Sequence, residues 1–237
     1  MGVPQRGGAT MAISVKGAHV PQDIMLMGGR WYLAYPLSYR HVEALMAERG
    51  VRLDQATIQR WGVQDSPLLE EALHRRKRPG WVSWRLDETY LRVKGQWRYR
   101  YRTVDKDGQT IDFLLTEHRD KGAALRLLKN ALRRNGLPET ITMDGSGANE
   151  AAIKSDNEEH DTIMKIRQIP YLNKVVAQDH RAIKRVTRPM LGFKACEATQ
   201  ATLTGIELMP MLKKKPMVIE ARDKGLTAAA LFYALAA

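Results

Sequence analysis

From residue 82 onward the apolar residues stop recurring every three to four positions and begin to alternate. "SWRLDETYLRV", "QWRYRYRTVD" and "QTIDFLLTE" each read as a strand, because only an extended chain sends successive side chains to opposite faces. Their joints, "KG" and "DKDG", are turn sequences suited to tight antiparallel connections. Extended and helical segments then alternate. "GAALRLLKNALRRNG" is an amphipathic helix closed by Gly136, with Pro138 just beyond. "ETITMD" is a short strand ending on Asp144, "GANEAAIKS" a helix and "MKIRQIPYL" a further strand, and a long basic helical segment runs from about Val175. The order β-β-β-α-β-α-β-α implies an α/β fold with a mixed five-stranded sheet and helices on its faces.

Upstream the period is helical. "PQDIMLMGGRWYLAY" repeats apolar groups at helical spacing, and "LSYRHVEALMAERG" offers Ser38 as N-cap and Gly50 just past the end. "VRLDQATIQRW" then starts a short helix capped by Asp54 and carrying Ile58 and Trp61. Helix, glycine-containing turn, helix is the pattern of a helix-turn-helix unit, although a plain three-helix bundle shares it. In such a unit the second helix enters the major groove, so Gln55, Thr57, Gln59 and Arg60 are its candidate base and phosphate readers. The basic stretch "HRRKRPG" that follows reads either as a solvated linker or as a second phosphate contact. Trp31, Trp61, Trp84 and Trp97 read as core anchors, with base stacking as the alternative.

Charge points to the partner. The 237 residues carry a formal net charge of +12, which favours polyanions, nucleic acid before anionic membrane. A single cysteine, Cys196, excludes an intrachain disulfide and a cysteine-rich zinc site. No run reaches the roughly 20 apolar residues that span a bilayer, and a cytoplasmic, nucleoid-associated setting is expected. Met11 serves as a start as well as Met1, since the residues between them have no periodicity.

Two carboxylates stand out. Asp87 lies mid-run in the first strand and Asp144 closes the fourth at "MDGSG". A carboxylate inside a strand is costly unless it is paired or binds a metal. If the two strands are neighbours, the carboxylates repel, and a divalent cation is the usual resolution. Mg²⁺ prefers oxygen ligands, and a two-ion site is a common device for phosphodiester cleavage and transfer. The alternative is that these are ordinary surface or turn aspartates. Glu88, Asp105, Asp107 and Asp112 compete for the same role, although the turn itself accounts for Asp105 and Asp107.

Several stretches, taken together and in order, resemble the DDE transposases of bacterial insertion sequences, specifically the IS-six family. They are "RWYLAYPLSYRHVEALMAERGV", "TIQRW", "WRLDETYLRVKGQWRYRYR", "VDKDGQTIDFLL", "ITMDGSGANEAAI", "YLNKVVAQDHRAIKR", "TRPMLGFK" and "TLTGIELM". The resemblance implies a helix-turn-helix that binds the element's terminal inverted repeats, followed by an RNase H-like catalytic domain. It implies two Mg²⁺ ions, DNA ends and target DNA as substrates, and a homo-oligomer, because two ends must be joined. The expected division is a poorly structured leader over 1–14, the helix-turn-helix over 15–74, a basic linker over 75–81, the catalytic domain over 82–215 and a tail over 216–237.

By resemblance the first catalytic and metal-binding aspartate of the family falls on Asp87 and the second on Asp144. The third acid, a glutamate within the family's "N-x-V-x-E-Q-D-H" motif, falls on Ala177. Alanine offers no oxygen, so the second ion is expected to bind weakly or not at all. Neighbours are poor substitutes: on a helix Gln178 points about 100° and Asp179 about 200° away from Ala177, and the His180 imidazole is ill matched to Mg²⁺. His180, Arg181, Lys184 and Arg185 read as DNA-phosphate contacts beside the site.

Other departures accompany it. Arg100 stands where the family's second strand has an apolar residue, Gly62 and Asp65 are expected to loosen the end of the recognition unit, and Pro210 is expected to kink or end the last helix. Three readings follow: an active transposase, a DNA-binding remnant without turnover, and a helix-turn-helix regulator joined to an unrelated α/β domain. The order "DET…DGS…QDHRAIKR" speaks against the third.

Overall fold

The computed structural model describes residues 20–78, 80–169, 181, 183–190, 192–214, 217–218 and 223–236. Three helices come first: α1 (Gln22–Ala34), α2 (Tyr39–Ala47) and α3 (Gln55–Arg76). Local chemistry sets their starts. The Ser38 hydroxyl accepts from the His41 N–H at 3.3 Å while His41 Nδ1 accepts from the Ser38 N–H at 3.2 Å, a reciprocal cap on α2. Asp54 Oδ1 accepts from the Thr57 N–H at 2.6 Å and caps α3. Gly50, at φ +76°, supplies the left-handed turn between them.

The third helix is not short. It runs for 22 residues, through Gly62, Asp65 and Pro67, and takes in His74, Arg75 and Arg76. Pro67 removes one helical N–H, yet Leu69 and Leu73 beyond it are buried with Leu208, Leu212, Leu231 and Phe232, and that burial holds the helix together across the defect. Gly62 lies in the unbroken helix, buried next to Tyr32 of α1, and does not loosen it. The basic stretch after α3 is likewise structured. Lys77 Nζ donates to the Thr110 carbonyl at 2.7 Å and to Asn135 Oδ1 at 3.2 Å. Burial of its ammonium pushes it down to about 8, so Lys77 is a half-buried joint rather than a solvated linker residue.

Strands β1 (Ser83–Val93), β2 (Gln96–Asp105) and β3 (Thr110–Thr116) form an antiparallel meander. Lys94 and Gly95 take positive φ at the first turn, as a type I′ hairpin requires. Asp105 Oδ1 accepts from the N–H groups of Asp107 and Gln109 and organises the second turn. Then follow α4 (Lys121–Asn135), β4 (Thr140–Met143), α5 (Gly147–His160) and β5 (Lys165–Gln168). Both late strands are parallel to β1, and the sheet order is β3-β2-β1-β4-β5. This is the mixed five-stranded sheet expected of an RNase H-like domain. Two further helices, α6 (Cys196–Lys214) and α7 (Ala228–Ala236), complete the described chain.

One sheet face packs Trp84, Leu86 and Tyr101 against Leu127, Leu128 and Ile153 of α4 and α5. The other faces α6 and the N-terminal helices, where Leu91 and Phe113 share a core with Tyr32, Val42, Met46, Ile58, Leu203 and Ile206. Each fully buried side chain of this size contributes about 1.5–3 kcal/mol, so this shared core outweighs the exposed ion pairs. Pro210 does not end α6, which continues to Lys214 with Met211 and Leu212 buried. Residues 228–236 form a short helix whose Leu231 and Phe232 share a buried cluster with Leu26, Leu69 and Leu73.

A charged group lies inside that second interface. Arg100, 0 % exposed, and Arg102 of β2 both pair with Glu207 of α6, itself 2 % exposed. A bulge shifts the register between Thr103 and Val104 and opposes Thr110 to Val104. Thr110 thereby joins Arg102 and donates to Glu207 Oε2 at 2.9 Å. Burial alone would raise the Glu207 carboxyl. Arg102, Arg100 and the Thr110 hydroxyl outweigh it and hold the group below the ordinary carboxylate range.

Candidate active site

The parallel β1–β4 ladder ends at the pair Leu86–Met143. The next residue on each strand is a carboxylate, Asp87 and Asp144, so the two stand side by side where β4 stops. Asp87 is 5 % exposed and its Oδ1 accepts from the Glu88 N–H at 2.8 Å. Burial pushes its carboxyl up to about 6; the Glu88 N–H opposes this and the Asp144 charge adds to it. Arg102, opposite Asp87 in the β1–β2 ladder, pulls weakly the other way. Asp144 is half-buried, and its Oδ1 accepts from the Ser146 N–H at 3.3 Å, one residue before α5 begins.

Two adjacent oxygen donors in a partly dehydrated setting, one held above its ordinary range, match the donor chemistry of a hard divalent cation such as Mg²⁺. Among the described residues no group of three or more His, Cys, Asp or Glu side chains converges as a metal site. Ala177 and His180 lie outside the described residues.

Beyond Leu86, β1 has no β4 partner, and Lys184 and Phe193 lie beside it. Residues 183–187 are helical, Val93 bridges Phe193, and the Lys94 N–H donates to the Phe193 carbonyl at 2.8 Å. Ile183 and Val186 are buried in the core shared with the N-terminal helices, leaving Arg181, Lys184 and Arg185 exposed. Lys184 Nζ sits 5.2 Å from the centroid of the Tyr90 ring.

A cleft of about 530 Å³ opens beside Asp144, lined also by Glu88, Thr89, Tyr90, Trp97, Tyr99 and Arg119. Glu88 and Arg119 are ion-paired within it. Trp97 is therefore not a core anchor: it is 50 % exposed, whereas Trp61 and Trp84 are buried and Trp31 packs on the core edge. A second cavity of similar size, between β3, α4 and α6, is lined by Asp112, Leu115, Cys196 and Gln200 and does not reach the Asp87–Asp144 pair.

The remaining candidates lie on the first turns of α3. Gln55, Gln59 and Arg60 are exposed and Thr57 is half-buried; Gln55 Nε2 donates to Glu43 Oε2 of α2 at 2.9 Å. Arg119, Tyr90 and the Arg100–Glu207–Arg102 group went unnoticed as site features in the sequence. The alternation in "QWRYRYR" carried part of the signal, since it puts Trp97, Tyr99 and Tyr101 on one face.

Residues 81–216 match the family described as DDE domain. The transposase for insertion sequence-like element IS431mec of Staphylococcus aureus (strain N315) is 33% identical over 199 residues, 82% of this chain and 86% of the relative. The transposase for insertion sequence element IS257 in transposon Tn4003 of Staphylococcus aureus is 32% identical over the same span and shares. Among solved structures, the HTLV-2 integrase catalytic core domain in complex with magnesium aligns with a TM-score of 0.44 at 14% identity, covering 65% of this chain and 97% of that one. With more than half of its length inside the domain family and most of it aligned to insertion-sequence transposases, this chain belongs to the DDE transposases of the IS-six family.

Proposed function

We propose that this transposase binds its element's terminal inverted repeats through the first turns of α3 and that Asp87 and Asp144 hold a divalent cation at the scissile phosphate. The observation that carries the proposal is the side-by-side placement of Asp87 and Asp144 at the end of the β1–β4 ladder, with the Asp87 carboxyl raised by burial and by its neighbour. A bound Mg²⁺ supplies Lewis-acid charge for cleavage and strand transfer. The chain's own residues do the rest. Gln55, Thr57, Gln59 and Arg60 read base edges and phosphates in the major groove. Arg181, Lys184 and Arg185, exposed on a helical segment beside β1, neutralise backbone phosphates, with His180 preceding them in sequence. Joining two ends needs two copies, so the working species is a homo-oligomer on DNA. No helix among the described residues is long and apolar enough to cross a membrane.

Ala177 limits the chemistry. It stands where the family motif has glutamate, so the metal site has two carboxylates rather than three, and breakage and joining are impaired while end binding survives. The test uses purified protein with Mg²⁺ or Mn²⁺ on duplexes carrying the inverted repeats cloned from either side of the coding sequence, beside Ala177→Glu. The proposal expects both proteins to retard the end-containing DNA and the revertant to cleave it far faster. A parent that cleaves as fast as the revertant contradicts the impairment; failure of both to bind contradicts the DNA-end role.

A further inference from the structure

Tyr90 and Trp97 make an unusual pair for a strand hairpin. They are 53 % and 50 % exposed, meet edge to face with centroids 4.9 Å apart, and belong to none of the buried clusters. Leaving two large rings half in water forgoes the burial that Trp61 and Trp84 obtain. Cations flank both rings: the Arg92 guanidinium lies 4.8 Å from the Trp97 centroid and Lys184 Nζ 5.2 Å from that of Tyr90. The rings form an aromatic wall of the cleft that opens on Asp144, and the Glu88–Arg119 ion pair adds hydrogen-bonding groups of both kinds.

A planar aromatic surface, cations at its rim and a polar, hydrogen-bonding floor are the requirements of an unpaired nucleobase with its flanking phosphates. A protein side chain would use the rings but leave the rim cations without an anion. A duplex cannot use the rings, because its bases are stacked on one another. We infer that this cleft takes an unpaired base at the end of the DNA, stacked on Tyr90 and Trp97, with Arg92 and Lys184 on the adjoining phosphates. The inference rests on the transposase reading and deepens it: the site selects frayed over fully paired ends next to the carboxylates.

The experiment compares a blunt duplex with the same duplex frayed at one end by mismatches, both fluorescein-labelled, titrated with the full chain in EDTA and followed by anisotropy. The parent should bind the frayed end about ten-fold more tightly. Trp97→Ala and Tyr90→Ala should each abolish most of that preference with blunt-duplex affinity unchanged. Trp97→Phe, which keeps a ring, should retain most of it. Frayed and blunt DNA bound equally by the parent overturns the inference alone, as does a preference that survives both alanine variants or is lost together with blunt-duplex binding. Absence of binding to either DNA overturns the inference and the transposase reading together.

Discussion

Replacing Glu207 by glutamine tests how the sheet is joined to the helices. Glu207 is the only acid paired with both Arg100 and Arg102 among the described ion pairs, and all three side chains are essentially removed from solvent. The change keeps the shape and one acceptor oxygen for the Thr110 hydroxyl, but turns a buried group of net charge +1 into one of +2. Breaking a buried pair by removing one partner costs about 3–5 kcal/mol, a large share of the roughly 5–15 kcal/mol that holds a domain folded. At about 2–4 °C per kcal/mol for a chain of this size, the midpoint should fall by roughly 6–20 °C. Arg100→Leu is the control. It leaves Glu207 paired with Arg102 and Thr110 and removes one desolvated cation, so it should cost under about 1.5 kcal/mol or even stabilise. The pH dependence has a definite sign. The Glu207 carboxyl is held below its unfolded value, so its contribution is full above an unfolded pKa of about 4.3. It is lost only as pH falls through the lower folded value. Parent and Glu207→Gln should therefore differ fully at pH 7 and converge only in strong acid. Thermal unfolding by far-UV circular dichroism across that range decides it. A Glu207→Gln midpoint unchanged at pH 7, or an Arg100→Leu loss as large, would refute the buried-charge reasoning.

Asp87 gives the opposite sign. Its folded value of about 6 lies above the ordinary aspartate value of 3.8, so its charge destabilises the metal-free fold progressively above about pH 4 and fully above pH 6. Asp87→Asn should raise stability at pH 8 by on the order of 3 kcal/mol, with the gain fading toward pH 4; urea midpoints at the two pH values check this, and a destabilised variant at pH 8 would count against it. Gly205 lies at a close approach of α6 to the N-terminal helices, where an added Cβ would meet Ser66 Oγ at 2.5 Å and Leu33 Cδ1 at 2.6 Å. Gly205→Ala should cost about 1–3 kcal/mol despite the better helix former; a variant as stable as the parent would show that α1, α3 and α6 are not tightly packed there.

Features carried by local pattern were legible in the sequence, and those carried by distant partners were not. Period-two runs and turn residues located all five strands, and the Ser38 and Asp54 caps appear where the sequence puts them. The neighbouring placement of Asp87 and Asp144 follows from strand order, which alternation and connection rules constrain. Arg100 looked like a blemish because its partner lies 107 residues away on another element. The helix α3 seemed short because glycine, aspartate and proline interrupt its propensity, while the tertiary contacts of Leu69 and Leu73 override it. A tryptophan in a strand reads as core; nothing local distinguishes Trp97 from Trp84 except its place next to the Lys94–Gly95 turn, whereas Trp84 pairs with Asp105 at the far end of the hairpin.

The number of divalent ions the site holds separates two carboxylates from three most directly. Mn²⁺ titrated into the protein on uncleaved element-end DNA, with bound ion counted by electron paramagnetic resonance, should give one ion per chain for the parent, two for Ala177→Glu and none for the Asp87→Asn/Asp144→Asn double variant. Two ions held by the parent as tightly as by Ala177→Glu, or an ion retained without both aspartates, would contradict the two-carboxylate site.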